Sequence, residues 1–357
     1  MMGREINFND VIVNDDSDCY VIAEIGHNHQ GDIKKAKEMI KAAADCGVNA
    51  VKLQKRDNRA LYTKAMFDSP YDNPNSYGET YGIHRNRLEL EKDAYVELIQ
   101  YAKDLNITFF ATPFDFNSAE ILYELDMPLY KIASGDIKNI PLIKQVAHFG
   151  KPLIVSTGGS SMEDVQRVYD AVMPINSSLC IMQCTSSYPC DFENLNLRVI
   201  EAYRQAFPDV VIGLSGHDNG IAMGPVAYML GARVIEKHFT LNRSWKGTDH
   251  PFSLERSGLS RLVRDLKRTR IALGDGIKRP LPCEADPIRK MAKKLVASRG
   301  LPKGHILTRH DIAIKSPGDG LPPYYFEQIL GKSLLTELKH DENISLEILV
   351  DDVAVIE

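Results

Sequence analysis

No apolar run in the chain approaches the ~20 residues that a membrane span needs. The N-terminal stretch MMGREINFNDVIVNDDSD also lacks the apolar centre of a signal peptide. Both absences predict a cytoplasmic protein. Basic charge is not in excess, since 43 Lys and Arg stand against 48 Asp and Glu for a net charge of −5, so nucleic acid is not an expected partner. The six cysteines contain no CxxC spacing, which argues for free thiols in a reducing compartment and against a disulfide framework. With so little global field of positive sign, an anionic small-molecule substrate has to be held by local groups.

What is present is repetition. Short β-branched runs recur eight times, each followed by polar residues, a turn and an amphipathic stretch: CYVIAEIG (19–26), AVKLQ (50–54), TFFATPF (108–114), LYKIAS (129–134), PLIVSTG (152–158), LCIMQCTS (179–186), VVIGLSGH (210–217) and RVIEKHFT (233–240). Strands alternating with helical patterns predict a parallel sheet, and eight such units predict a closed (β/α)8 TIM barrel. A barrel takes roughly 250 residues, so a chain of 357 has room for a second, small domain. The expected limits are a barrel over 1–275, a linker over 276–287 and a small, mainly β domain over 288–357.

Reactive groups of such barrels collect at the C-terminal strand ends. Glu24, Lys52, Gln54, Thr112, Lys131, Ser134, Ser156, Ser215, His217 and His238 all fall there. Period-two geometry places Lys52 with Gln54, Ser215 with His217, and Glu236 with His238 on common faces. Two histidines at the mouths of adjacent strands can reach one ion, and imidazole with carboxylate and water oxygens suits a divalent cation such as Mn²⁺, with Zn²⁺ and Mg²⁺ left open.

Lys52 and Lys131 interrupt apolar strands, where an unpaired ammonium is costly. Their partners are the phosphate or carboxylate of a ligand, aided by Ser134, Gly135, Ser156 and Ser215, or else a salt bridge to Glu24 or Glu236. A Schiff-base role for Lys131 is a rival reading, and the two histidines count against it. Residues 55–91 form a long connection rich in Tyr, Asn, Asp and Pro. A loop of that length at the catalytic face is expected to contact substrate, through Tyr77, Tyr81, His84, Arg85 and Arg87.

The segments EIGHNHQG (24–31), VKLQK (51–55), ATPFD (111–115), YKIASGD (130–136), VSTGG (155–159), QCTSSYP (183–189), GLSGHDNG (213–220) and IEKHFTL (235–241) together resemble the phosphoenolpyruvate-dependent sialic acid synthases. The C-terminal part resembles their antifreeze-like (SAF) domain. The resemblance implies a metal-dependent, aldol-type condensation of phosphoenolpyruvate, water and the open-chain aldehyde of an N-acylated amino sugar, giving a nonulosonic acid and phosphate.

It further implies that His217 and His238 bind the metal, Mn²⁺ first with Mg²⁺ or Co²⁺ as alternatives. Lys52, Gln54, Lys131, Ser134, Gly135, Ser156 and Ser215 would hold phosphoenolpyruvate. Glu24 would move the proton, with Thr112, Tyr188 and Asp249 around the sugar and Tyr81 and Arg85 as further sugar contacts.

One departure bears on the substrate. Where bacterial members carry an Arg in a KRPGxG-like segment, this chain reads KSPGDG and has Ser316. The segments 75–90 and 245–250 look closer to the animal-type enzymes, which use a phosphorylated sugar. Free N-acetylmannosamine is the first expectation and its 6-phosphate the alternative, with Arg85, Arg87 or Lys55 as phosphate contacts; a legionaminic- or pseudaminic-type product is also open. The resemblance implies a domain-swapped homodimer with no membrane or nucleic-acid partner. A related phosphoenolpyruvate-condensing enzyme would lack the C-terminal domain, and a carbohydrate-binding module would leave the strand-end residues without a role.

Overall fold

The computed structural model describes residues 3–351. The outermost parts of the expected barrel and small domain, residues 1–2 and 352–357, lie outside the described residues. The chain divides into two units, one ending at Gly274 and one beginning at Asp275.

The first unit opens on an antiparallel hairpin, β1 (Glu5–Phe8) and β2 (Val11–Asn14). Eight parallel strands then close into a barrel: β3 (Tyr20–Gly26), β4 (Ala50–Lys55), β5 (Thr108–Pro113), β6 (Tyr130–Ile132), β7 (Leu153–Ser156), β8 (Leu179–Cys184), β9 (Val211–Gly216) and β10 (Val234–His238). Each strand falls within or one residue beyond its apolar run. The polar tails of the runs leave the ladder and build the loops of one barrel end.

The hairpin was not anticipated from the sequence. It sits at the opposite end: the Phe8 ring is 4.9 Å from that of Tyr20, the first residue of β3, and Asn9 donates to the hydroxyl of Thr108, the first residue of β5. Phe8 is fully buried and belongs to the barrel core, a burial that contributes about 1.5–3 kcal/mol.

The helices pack apolar stripes on the barrel. In Ile33–Asp45 the buried face is Ala36, Met39, Ile40, Ala42 and Ala43, the i, i+3, i+4, i+7 spacing of an amphipathic helix. Asp32 caps its start by accepting from the amides of Lys34 and Lys35, and Gly47, at φ +79°, ends it in the left-handed conformation that favours glycine. The connection 55–91 is folded rather than a simple loop, with helices Asn58–Leu61, Lys64–Phe67 and Tyr81–Leu88. The helix Arg256–Leu273 ends the unit, and Gly274 follows at φ +59°.

The second unit has its own core of Leu295, Ala297, Leu301, Leu307, Ile312, Ile329, Leu334, Leu338 and Ile344. Two small antiparallel sheets pair β11 (Lys294–Ala297) with β12 (Ile312–Lys315) and β13 (Ser333–Leu334) with β14 (Leu349–Val350). Part of the stretch read as a linker is ordered: a tight turn at Pro282–Glu284 leads into the helix Ala285–Met291.

Candidate active site

The barrel register brings distant residues together. Glu24 of β3 pairs with Lys52 of β4 on one side and His238 of β10 on the other, and Glu236 pairs with Ser215 of β9. These side chains line a cavity of about 370 Å³ at the C-terminal strand ends. Of the residues the sequence singled out on the barrel and in the 55–91 connection, all line it except Tyr81, Arg87 and Lys55.

At its floor lie two lysines and two glutamates, all at most 4% exposed. Lys52 Nζ is 2.6 Å from Glu24 Oε2 and 3.8 Å from Glu236 Oε1, and Lys131 Nζ is 3.2 Å from Glu236 Oε1. Lys52 also donates to Thr112 Oγ1 at 2.9 Å, and Ser215 Oγ donates to Glu236 Oε1 at 3.3 Å. Both lysines are therefore paired with carboxylates, the alternative that the sequence left open beside a ligand anion.

The two carboxyls differ in their environments. Burial raises the pKa of Glu24, with Glu236 adding to the rise and Lys52 opposing it. Burial would raise Glu236 too, but Lys131 and Lys52 together outweigh it and hold that carboxylate below its ordinary value. Two carboxyls pushed apart in one pocket divide into a proton carrier and a fixed negative charge.

Glu24 is oriented from behind. Gln54 donates to its Oε1 at 2.6 Å, and Arg56 donates to the amide oxygen of Gln54 at 2.7 Å. Arg56 was missed from sequence, although it continues the Lys52, Gln54 alternation by one more step. Its cation stacks on Phe114 at 3.6 Å and contacts His27 at 3.0 Å. Burial and the neighbouring Arg85 charge both disfavour the Arg56 cation, and burial followed by Arg56 and Arg85 keeps His27 neutral well below its usual range.

His217 and His238 stand with ring centroids 5.4 Å apart. His217 Nδ1 is 2.8 Å from the Thr185 carbonyl, which assigns the proton to Nδ1 and leaves the Nε2 lone pair free. His238 is held below its usual pKa by burial, against the pull of Asp249, and its buried Nδ1 makes no hydrogen bond to any of the described residues, with Asp249 Oδ2 at 3.6 Å. Among the described residues no group of three or more His, Cys, Asp or Glu is arranged around one point. Two imidazoles, one with an uncommitted buried nitrogen, beside Asp249, fit a divalent cation whose remaining ligands are oxygens of water or substrate. The rings of Tyr188 and Phe252 wall the pair, at 4.2 Å from His217 and 4.9 Å from His238.

Opposite, the Gly158 amide donates to Ser134 Oγ at 2.9 Å, and the buried hydroxyl of Ser156 has no hydrogen-bond partner among the described residues. A Cβ on Gly158 would lie 2.1 Å from Ser186 Oγ and 2.9 Å from Ser134 Oγ, so both hydroxyls would have to move to admit one. Cys184, in register with Ser215, also lines the cavity and was not anticipated. Period two from Cys180 would have found it.

At the mouth, Tyr77, His84, Arg85, Lys246 and Asp249 line the cavity. Arg85 Nε donates to the Tyr81 hydroxyl at 2.9 Å, and among the described residues the guanidinium has no carboxylate within ion-pair distance. Tyr81 thus sits behind Arg85 rather than on the cavity wall, packed edge-on to Tyr62 and Tyr71. Arg87 is exposed and off the cavity, and Lys55 is buried against Glu89 at 3.3 Å. Ser316 belongs to the second unit, where its hydroxyl accepts from Lys293 at 2.6 Å.

Comparison with known proteins gives one consistent picture. The NeuB family matches residues 39–278 and the SAF domain matches residues 294–349. The human N-acetylneuraminate-9-phosphate synthase is 42% identical over 94% of this chain and 93% of its own. The N,N'-diacetyllegionaminic acid synthase of Campylobacter jejuni is 36% identical over 91% of this chain and 98% of its own. Among solved structures, an N-acetylneuraminic acid (sialic acid) synthetase from Leptospira borgpetersenii in complex with citrate superposes with a TM-score of 0.70 at 31% identity, covering 80% of this chain and 95% of that one.

Proposed function

The chain belongs to the NeuB family, and on that premise we propose that it is a sialic acid synthase which condenses phosphoenolpyruvate with an N-acylated amino-sugar aldehyde and water, releasing phosphate. The observation that carries this reading is the buried Glu24, Lys52, Glu236, Lys131 floor sharing one cavity with the His217 and His238 pair.

The reaction needs C3 of phosphoenolpyruvate to bond to the aldehyde carbon, water to add at C2, and the bond from C2 to the phosphate oxygen to break. Water gives up both protons as its oxygen becomes the C2 carbonyl, one going to the carbinol oxygen and one to the departing phosphate. Lys52 and Lys131 hold the anionic ends of phosphoenolpyruvate, sharing their charge with the glutamates. Ser134, Gly135, Ser156 and Ser215 add neutral donors, and the unpartnered Ser156 hydroxyl supports that role.

Glu24, with its raised pKa, carries the proton between water and the carbinol oxygen. Glu236, kept ionised by two ammonium groups, faces the positive character that develops at C2. His217 and His238 would hold a divalent cation, Mn²⁺ by first preference with Mg²⁺ or Co²⁺ as alternatives, which when bound polarises the aldehyde oxygen and positions water. Thr112, Tyr188 and Asp249 line the space left for the sugar.

For the far end of the sugar, we favour the 6-phosphate of N-acetylmannosamine over the free sugar. Arg85 supports this, since it lines the cavity together with Lys246 and, among the described residues, its only hydrogen bond is from Nε to Tyr81. Adding three carbons to the aldehyde end turns C6 of the sugar into C9 of the product, which agrees with the name of the human relative. The Campylobacter relative's name keeps a diacetylated nonulosonic acid as the second reading.

No helix among the described residues is long and apolar enough to cross a membrane, and all six cysteines are free. These observations support a cytoplasmic location, and we propose a homodimer as the active unit.

The test is phosphate release from phosphoenolpyruvate with Mn²⁺, comparing N-acetylmannosamine and its 6-phosphate at matched subsaturating concentrations. Release with the 6-phosphate in clear preference is expected. Preference for the free sugar overturns the C6 assignment, and no release with any N-acylated amino sugar overturns the condensation.

A further inference from the structure

The strand β9 ends at Gly216, so His217 lies one residue beyond the ladder that joins it to β10. Something other than sheet hydrogen bonds has to set its distance from His238. The last paired residues are Lys237 and Gly216. Lys237 stands between Glu236 and His238 on β10, and alternation turns it away from the cavity that those two line.

Its side chain crosses Gly216 and ends on the residue after His217. Nζ donates to the Asp218 carbonyl at 2.6 Å and to Asp218 Oδ1 at 2.8 Å. Lys237 is 4% exposed and Asp218 1%. Gly216 is the notch that makes this path possible: a Cβ there would lie 2.9 Å from Asp218 Oδ1 and 3.3 Å from Lys237 Cδ. On the other flank the Cys190 amide donates to the His217 carbonyl at 3.0 Å. The backbone around His217 is therefore clamped from both sides, and the buried clamp on the β10 side originates from the residue adjoining His238.

We infer that Lys237, Asp218 and Gly216 form a positioning device that fixes the separation of His217 and His238 and so tunes the affinity of the pair for a divalent cation. None of the three donates to the cavity. They act through the backbone, as outer-shell groups of metal sites do, where loss costs roughly 10- to 100-fold in metal affinity. This inference rests on the metal reading proposed above.

The experiment measures Mn²⁺ dissociation constants on the whole protein by electron paramagnetic resonance of the free ion, for wild type, Asp218→Asn, Gly216→Ala and His238→Ala. Asp218→Asn keeps the shape and removes the charge, whereas Gly216→Ala keeps the charges and wedges the pair apart. Each is expected to weaken binding roughly 10- to 100-fold, with kcat reduced, KM for phosphoenolpyruvate little changed and circular dichroism preserved. Loss of thermal stability with wild-type Mn²⁺ affinity in both variants marks a merely structural pair and overturns the inference alone. Failure of wild type to bind Mn²⁺ more tightly than His238→Ala overturns the metal reading and this inference together.

Discussion

Glu24 and Glu236 share one ammonium: Lys52 Nζ lies 2.6 Å from the first and 3.8 Å from the second, yet Glu24 is pushed up by burial while Glu236 is held down by Lys131 and Lys52. The asymmetry comes from the second lysine, which contacts Glu236 and not Glu24. If Glu24 is the proton carrier, Glu24→Gln keeps the hydrogen-bonding shape and removes the transferable proton. Turnover is expected to fall by roughly 10² to 10⁴, with the dissociation constant for phosphoenolpyruvate changed far less. A turnover within a few-fold of wild type sinks the role of Glu24.

The histidine pair makes a separate prediction. His217→Ala or His238→Ala is expected to lower turnover at least roughly a hundredfold, the scale of losing a key electrostatic group. Dialysis against a chelator should silence the wild-type protein, and Mn²⁺ should restore it. Full activity of the chelated protein, or of metal-stripped His238→Ala, contradicts the assignment.

Arg85 gives a prediction that separates the two sugars. A charge-assisted hydrogen bond contributes about 1.5–3 kcal/mol, so Arg85→Ala should raise KM for the 6-phosphate roughly ten- to a hundredfold and leave the free sugar nearly unaffected. Arg85→Lys keeps the charge without the planar fork and should fall between. Equal losses on both sugars would assign Arg85 to support of the Tyr81, Tyr62 and Tyr71 cluster.

The barrel was legible because its signal is local and repeated. Each strand carries its own apolar run, and period two places Lys52 with Gln54 and Glu236 with His238 without any knowledge of the neighbours. Arg56 escaped because the alternation was not followed past the end of β4. Lys237 and Asp218 escaped for a different reason: Lys237 falls on the outward alternation of β10, and Asp218 lies beyond the end of β9.

The cluster of His27, Lys55, Arg56 and Glu89 joins the ends of β3 and β4 to the end of a helix in the 55–91 connection, with Glu89 at 3.2 Å from His27 and 3.3 Å from Lys55. Contacts at such separations have no sequence period. The hairpin of Phe8 was missed because two four-residue strands carry too few alternations to stand out.

Acid should destabilise this barrel through its buried histidines. His29 is buried at the active end, where Nδ1 accepts from the Gly31 amide at 3.0 Å, and burial first, then His27, lowers its pKa to about 3. An unfolded histidine titrates near 6.5. Between those values the unfolded chain binds a proton that the folded one does not, so stability is present above pH ~6.5 and is lost as pH falls towards 3. The loss through His29 alone approaches ~1.4 kcal/mol per pH unit within that window. Urea midpoints for wild type and His29→Asn, which keeps an acceptor for Gly31, should converge as the pH is lowered from 7 to 5, because only the wild type carries this term. Parallel curves across that range would mean that His29 titrates alike in the folded and the unfolded chain, which contradicts a lowered value in the folded barrel.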